Sequence, residues 1–488
     1  MFLGFRFKYF SCLQRSIKKY FYWIGFSVLP AMCAFAVTGP QLKEHTKIVP
    51  GCSTEVYKYQ FENGLTLLVL SDKRNPLALM HFILDAGSNR EHAGATGLAH
   101  FFEHMMFRKT KTTPDGFYDR TLKFFGGRGN AGTNDSFVTY NAFFPVPALE
   151  HVLQFESQRF LGLELVEPYF STEKGAVISE RKLRIENNPQ QRGFEVLRAV
   201  TERQTPLEWM TIGSKQDVEN LRKEDAQRFY ENFYAPNNTL MVVGSSFDHK
   251  KVATLVQKYF GNWKAQKIPP HFALPENYFT RDVGQHFICS EAVLTKKYRI
   301  VYPNPHFDQK DIVYSYIFQA MLDDNSQGTF VRRLLKDKLA TDFQFHKVYW
   351  QRDTNPLIAS FSLSQEQNFD IIENFWKKEV AQVLKKSLSE KIKGQILKQI
   401  AISNAKISER MSNLADTALE NEFFLKDLGA SLKMEQIVQS ATTKSVRQWI
   451  TDNLGAHQFY VTGIVPPGGA PSCTEFLAQF QKKSSSQK

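Results

Sequence analysis

The stretch GLAHFFEHMMF, residues 97–107, constrains this chain more than any other. Leu98, Phe101, Phe102 and Met105 recur at i, i+3, i+4 and i+7, the spacing that lines one face of an α-helix with apolar groups. His100, Glu103 and His104 fall on another face at i, i+3 and i+4. A helix divided this way buries one side in a core and turns the other toward a site. Thr96 is the predicted N-cap, with Gly97 just inside it.

Two imidazoles one helical turn apart can aim their nitrogens at one point, as four-coordinate Zn²⁺ requires. Glu103 then stands beside the metal, placed to take a proton from an activated water and return it to a leaving amine. The order HxxEH is the reverse of the HExxH zinc-protease motif. Without a third ligand the alternative is that the same face is a solvated polar surface or a hydrogen-bonded cluster. Glu164, Glu167, Glu173 and Glu180 are all eligible carboxylates on position alone.

At 488 residues the chain is too long for one ordinary core, and a composition of 42% hydrophobic and 23% charged residues is that of a globular protein. Its formal charge of +12 does not indicate a nucleic-acid partner. Five basic and no acidic residues lie within 1–36; setting them aside leaves +7, with no clustered basic helix or finger spacing to use it. That leader is basic through Lys19 and continues as YFYWIGFSVLPAMCAFAV, ending with Ala34 and Ala36 in an A-x-A arrangement. It reads as a signal peptide or an N-terminal anchor, so export to the periplasm, free or membrane-anchored and facing it, is the expectation. Beyond it Cys52, Cys289 and Cys473 allow at most one disulfide and spell no metal motif.

Periodicity divides the remainder into a catalytic α+β half at 37–260, a polar Pro-rich linker at 261–285, a second α+β half at 286–480 and a disordered tail at 481–488. Strand patterns run from Val56 through an Asn63-Gly64 hairpin turn to Leu70 and again over LALMHFIL. Helices are predicted at Ala148–Leu163, Glu173–Ile185 and Lys223–Tyr234, and a closing strand at 237–246. The second half repeats this order loosely and also ends on a strand. Where the first half has its histidines the second has YIFQAML, so only one half carries ligands. The expected fold class is α+β: two related halves, each a mostly antiparallel sheet with helices packed on one face.

HFFEH, then NAGTNDSFVTY (130–140), ALEHVLQFESQRF, EKGAVISERK, WMTIGSKQDVENL and FYAPNNTLMVVG together resemble, in order, the blocks of the pitrilysin/insulinase family of inverted-motif zinc peptidases. The resemblance implies that His100, His104 and Glu180 hold one Zn²⁺ per chain, that Glu103 is the general base, and that Glu173 supports a ligand or the water. It implies that a peptide or unfolded polypeptide adds to an edge strand near Asn130, Ala131 and Tyr140, and that the chain pairs with a second copy or a related subunit. Family members also carry, in the second half, an Arg and a Tyr that contact the substrate carbonyl. In LLKDKLATDF those positions fall on Lys336 and Phe343, which offer neither a guanidinium fork nor a hydroxyl. The expectation is therefore a zinc endopeptidase; the alternative is a weakly active or non-catalytic subunit of a family pair.

Overall fold

The alternating apolar residues of 55–71 fold into a hairpin in which β2 (Glu55–Gln60) and β3 (Thr66–Ser71) pair antiparallel, Gln60 opposite Thr66. Its turn is longer than a two-residue Asn-Gly turn. Gly64 N donates to Phe61 O at 3.0 Å and Gly64 takes φ +88°, a left-handed conformation that glycine adopts without strain. The structure, a computed structural model, describes residues 39–304, 308–347, 354–363, 368–455 and 457–485; the leader expected at 1–36 lies outside them. Among the described residues no helix is long and apolar enough to cross a membrane.

With β1 (Gln41–Lys47), β4 (Leu77–Leu84), β5 (Arg128–Thr133), β6 (Val138–Pro145) and β7 (Thr239–Ser245), the hairpin forms a seven-stranded sheet ordered β1-β2-β3-β7-β4-β6-β5. The second half contains β8 (His286–Ser290), β9 (Lys296–Tyr302), β10 (Asp342–Lys347), β11 (Leu357–Leu363) and β12 (Tyr460–Val465), ordered β10-β11-β9-β12-β8. Taken from its other edge, β8-β12-β9-β11-β10 repeats β3-β7-β4-β6-β5 strand for strand. The repeat includes the parallel pair, β8/β12 matching β3/β7. The halves are thus related, each a mostly antiparallel sheet with helices, and residues 261–285 between them carry neither helix nor strand.

One face of the first sheet shares a core with the helices Leu98–Met105, Leu149–Gly162, Lys223–Phe233 and His249–Phe260, through Phe82, Phe101, Phe102, Phe160 and Phe260. Its other face is covered from the second half. Met411, Leu414 and Ala418 of the helix Met411–Leu425 pack on Leu68, Leu79 and Val242. The first half reciprocates through its helix Pro189–Thr201, whose Leu197 and Val200 pack with Phe287, Val301 and Ile464. Each sheet therefore needs the other half's helix to bury its second face, and 39–488 forms one compact unit.

Two elements differ from the sequence reading for packing reasons. The predicted helix at Glu173–Ile185 instead spans Tyr169–Arg181 and closes through one wide turn, with Asn187 N donating to Lys182 O at 2.8 Å. The tail expected to be disordered from residue 481 continues a helix, Cys473–Ser485, because Phe476, Leu477 and Phe480 dock on the apolar cluster under β8 and Cys473 is disulfide-bonded to Cys289. Cys52 is buried and free.

Candidate metal centre

The helix Leu98–Met105 buries Leu98, Phe101, Phe102 and Met105 as its apolar spacing requires. Its start is capped differently from the sequence expectation. Gly97, at φ +86°, is the N-cap, while the Thr96 hydroxyl donates to Asp217 at 2.6 Å. The free amides of the first turn are taken by Glu91, which accepts from Gly97 N at 2.9 Å and Ala99 N at 2.7 Å. Burial raises the Glu91 carboxyl well above its usual range, against the pull of these two bonds. No local pattern points to a cap six residues upstream.

The other face meets the helix Tyr169–Arg181. Glu180 Oε2 lies 3.5 Å from His100 Nε2 and 3.4 Å from His104 Nε2. One ligand atom from each of the three lies within 4.8 Å of the others. Four-coordinate zinc with bonds of about 2.0–2.1 Å sets its ligands roughly 3.3–3.4 Å apart, close to the two distances from Glu180 to the imidazoles, so the chemistry and spacing of this donor set fit a single Zn²⁺. Glu173, two turns before Glu180, accepts from His104 Nδ1 at 2.8 Å. That bond leaves Nε2 as the lone-pair nitrogen facing Glu180. Arg108, one turn after His104, grips the same Glu173 carboxylate through Nε at 2.8 Å and through Nη2, and Arg184 reaches Glu180 Oε1 at 2.7 Å. The side chains of His104 and Glu180 are 23% and 21% exposed, so the cluster opens to solvent.

The field around the cluster favours a cation. Burial pushes His100 down to about 4, the neutral state that ligates metals. Burial also pulls at His104, but the Glu173 hydrogen bond and the charges of Glu173, Glu180 and Glu103 outweigh it and raise that group. Glu173 is lowered, its burial overcome by the bonds from His104 and Arg108. Glu103 is raised by burial, partly countered by the Thr133 hydroxyl, which donates to its Oε2 at 2.6 Å. Thr133 closes β5, so the candidate base is tethered to the edge strand. Neither the Thr133 tether nor the Glu91 cap has a motif in the sequence; Arg108, four residues after His104, is within reach of helical spacing alone.

Of the expected substrate residues, Asn130 and Ala131 lie on β5, which ends its sheet and, among the described residues, pairs with β6 alone, leaving its other edge without a strand. Tyr140 does not belong with them. On β6 the residues Val138, Tyr140, Ala142 and Phe144 alternate inward, and the Tyr140 hydroxyl is bonded to that of Tyr234 at 2.7 Å in the core. Phe343 is partly buried, its ring packed against Phe330, Phe361 and Trp376 at the margin of the second core, while Lys336 ends the helix Phe330–Lys336 exposed to solvent. On β10 it is Asp342, Gln344 and His346 that face outward from that core, on the side opposite to the one on which Phe343 packs.

Comparison with known proteins gives two adjoining family matches. The profile described as "Insulinase (Peptidase family M16)" covers residues 67–215, and that described as "Peptidase M16 inactive domain" covers 220–399. A zinc protease PqqE from Helicobacter pylori is 26% identical over 378 residues, 74% of this chain and 83% of that relative. The mitochondrial-processing peptidase subunit beta of Caenorhabditis elegans is 26% identical over 187 residues, 38% of this chain and 41% of its own. Among solved structures, a protease from Helicobacter pylori superposes with a TM-score of 0.74 at 20% identity, over 87% of this chain and all of that one. Pitrilysin superposes at 0.72 and 18% identity, over 92% of this chain but only 50% of its own length.

Proposed function

Because the chain belongs to the insulinase family, peptidase M16, we propose that it is a zinc-dependent endopeptidase acting on unfolded or extended peptides. The observation that carries this reading is the convergence of His100, His104 and Glu180 at the spacing of zinc ligands, with the Glu103 carboxylate beside them. Zinc bound there would supply a Lewis acid for the scissile carbonyl and an acidified water. Glu103, held by the Thr133 hydroxyl, would be the proton-transfer group, accepting a proton from the attacking water and returning it to the leaving amine. Thr133 fixes the direction of its carboxylate, and Glu173 holds the His104 ring through Nδ1. The peptide adds along the open edge of β5 at Asn130 and Ala131 by main-chain hydrogen bonds, which favours extended segments over folded ones.

Two further parts of the reading follow. Pairing with a second copy or a related subunit is supported by the match to half of pitrilysin, and a partner would supply the carbonyl-binding donors that Lys336 and Phe343 do not provide. Export is supported by the Cys289–Cys473 disulfide, a bond that persists in oxidising compartments. A non-catalytic subunit is the second reading, favoured by Lys336 standing where family members carry an Arg and disfavoured by the complete set of candidate ligands. The test is cleavage of unstructured peptides by the purified chain with and without a chelator, alongside Glu103→Gln. The expected result is chelator-sensitive turnover that Glu103→Gln lowers by about 10²–10⁴-fold while zinc content is kept. Undiminished turnover in the variant removes Glu103 from the mechanism.

A further inference from the structure

The two sheets treat their second faces differently. On the first sheet that face is apolar and filled, Met411 and Leu414 packing on Leu68, Leu79 and Val242. The matching face of the second sheet carries Lys297 and Arg299 on β9, Ser360 and Ser362 on β11, and Gln344 and His346 on β10. The helix Pro189–Thr201 covers only part of it, and a cavity of about 510 Å³ remains between the halves. A smaller one of about 110 Å³ adjoins it and shares Lys297 and Arg299.

The charged groups of this cavity, the exposed Asp342 carboxylate among them, are unequally matched. Arg198 is paired with Asp135 at 2.7 Å, Glu202 receives the Tyr278 hydroxyl, and Lys297 donates to the Ser362 hydroxyl at 2.6 Å. Arg299 has the ring of Phe194 4.8 Å from its guanidinium carbon and, among the described residues, no carboxylate partner. Burial lowers both Arg299 and His346, the latter also through the neighbouring Arg299 charge. A partly buried guanidinium on a wall of hydroxyls and amides is a receptor for a carboxylate, because a planar anion can take two of its N–H groups at once.

Position identifies the source of that carboxylate. Asp135, on the cavity wall, lies two residues beyond Thr133, where β5 ends. A chain added along β5 and continuing past Thr133 reaches this cavity. We infer that the cavity between the halves is a substrate subsite in which Arg299 binds a carboxylate of the peptide, from an acidic side chain or from a free C-terminus. This rests on the peptidase reading and adds to it a preference for acidic or terminal segments at a distance from the cleaved bond.

The test measures binding without turnover, in the full-length Glu103→Gln protein, by fluorescence anisotropy of one labelled unstructured peptide in four forms. These combine an internal Glu or Gln with a free or amidated C-terminus. A carboxylate form should bind about tenfold or more tightly than its neutral counterpart, with the difference shrinking as salt rises. The form that shows the difference names the source. Arg299→Gln should abolish it and Arg299→Lys should retain part of it, which separates loss of charge from loss of fold. Equal binding of all four forms, or a preference that survives Arg299→Gln, overturns the inference and leaves the peptidase reading standing. Binding of none of the four contradicts both.

Discussion

Phe343 shows what a single residue's register decides. Its ring packs, partly buried, among Phe330, Phe361 and Trp376, so Phe343→Tyr would set a hydroxyl against an aromatic cluster. The expected loss is about 1–3 kcal/mol of stability with no gain in turnover, measured by urea unfolding and peptide cleavage. A rise in activity would contradict this placement. The residues of the candidate site are legible in the sequence because helical spacing is local: i and i+4 for the two histidines, i and i+7 for the supporting Glu173 and the candidate ligand Glu180. Which glutamate joins them depends on how two distant helices pack, and only the family resemblance singles out Glu180. Tyr140 and Phe343 depart from the sequence reading because one strand position separates a site-facing side chain from a core one.

At the scale of elements, the helix Met411–Leu425 carries Glu420 into a second cavity, beside the helix Gln309–Asp323. Burial, with Asp416 adding repulsion, raises this carboxyl from 4.5 to about 7. Tyr316 faces it, and Asp416 is itself 3.2 Å from His81. A raised carboxyl binds its proton more tightly in the folded state, so stability is greatest below the unfolded value and falls as pH rises through about 7. Glu420→Gln should therefore unfold about 2–4 °C above the wild type at pH 8 and nearly level with it at about pH 5. The same difference at both pH values would contradict it. Strand and helix order is readable from periodicity, whereas the Glu91 cap and the early start at Tyr169 are not, since both depend on contacts between segments.

For the whole molecule, the exchanged helices bind the two halves of the duplicated topology together, each half packing a helix on the other's sheet. The proposed pairing predicts a particle of about twice the chain mass by light scattering, and a monomer with full peptidase activity would contradict it. The repeat is only loosely visible in the residues because topology, not side-chain identity, is what the halves share. The most direct measurement is zinc per chain in the purified wild type and in Glu180→Ala, after dialysis against the same chelator concentration. One zinc per wild-type chain and a near-complete loss in the folded variant is the predicted result. A folded wild type without zinc, or a variant that retains all of it, would contradict the account.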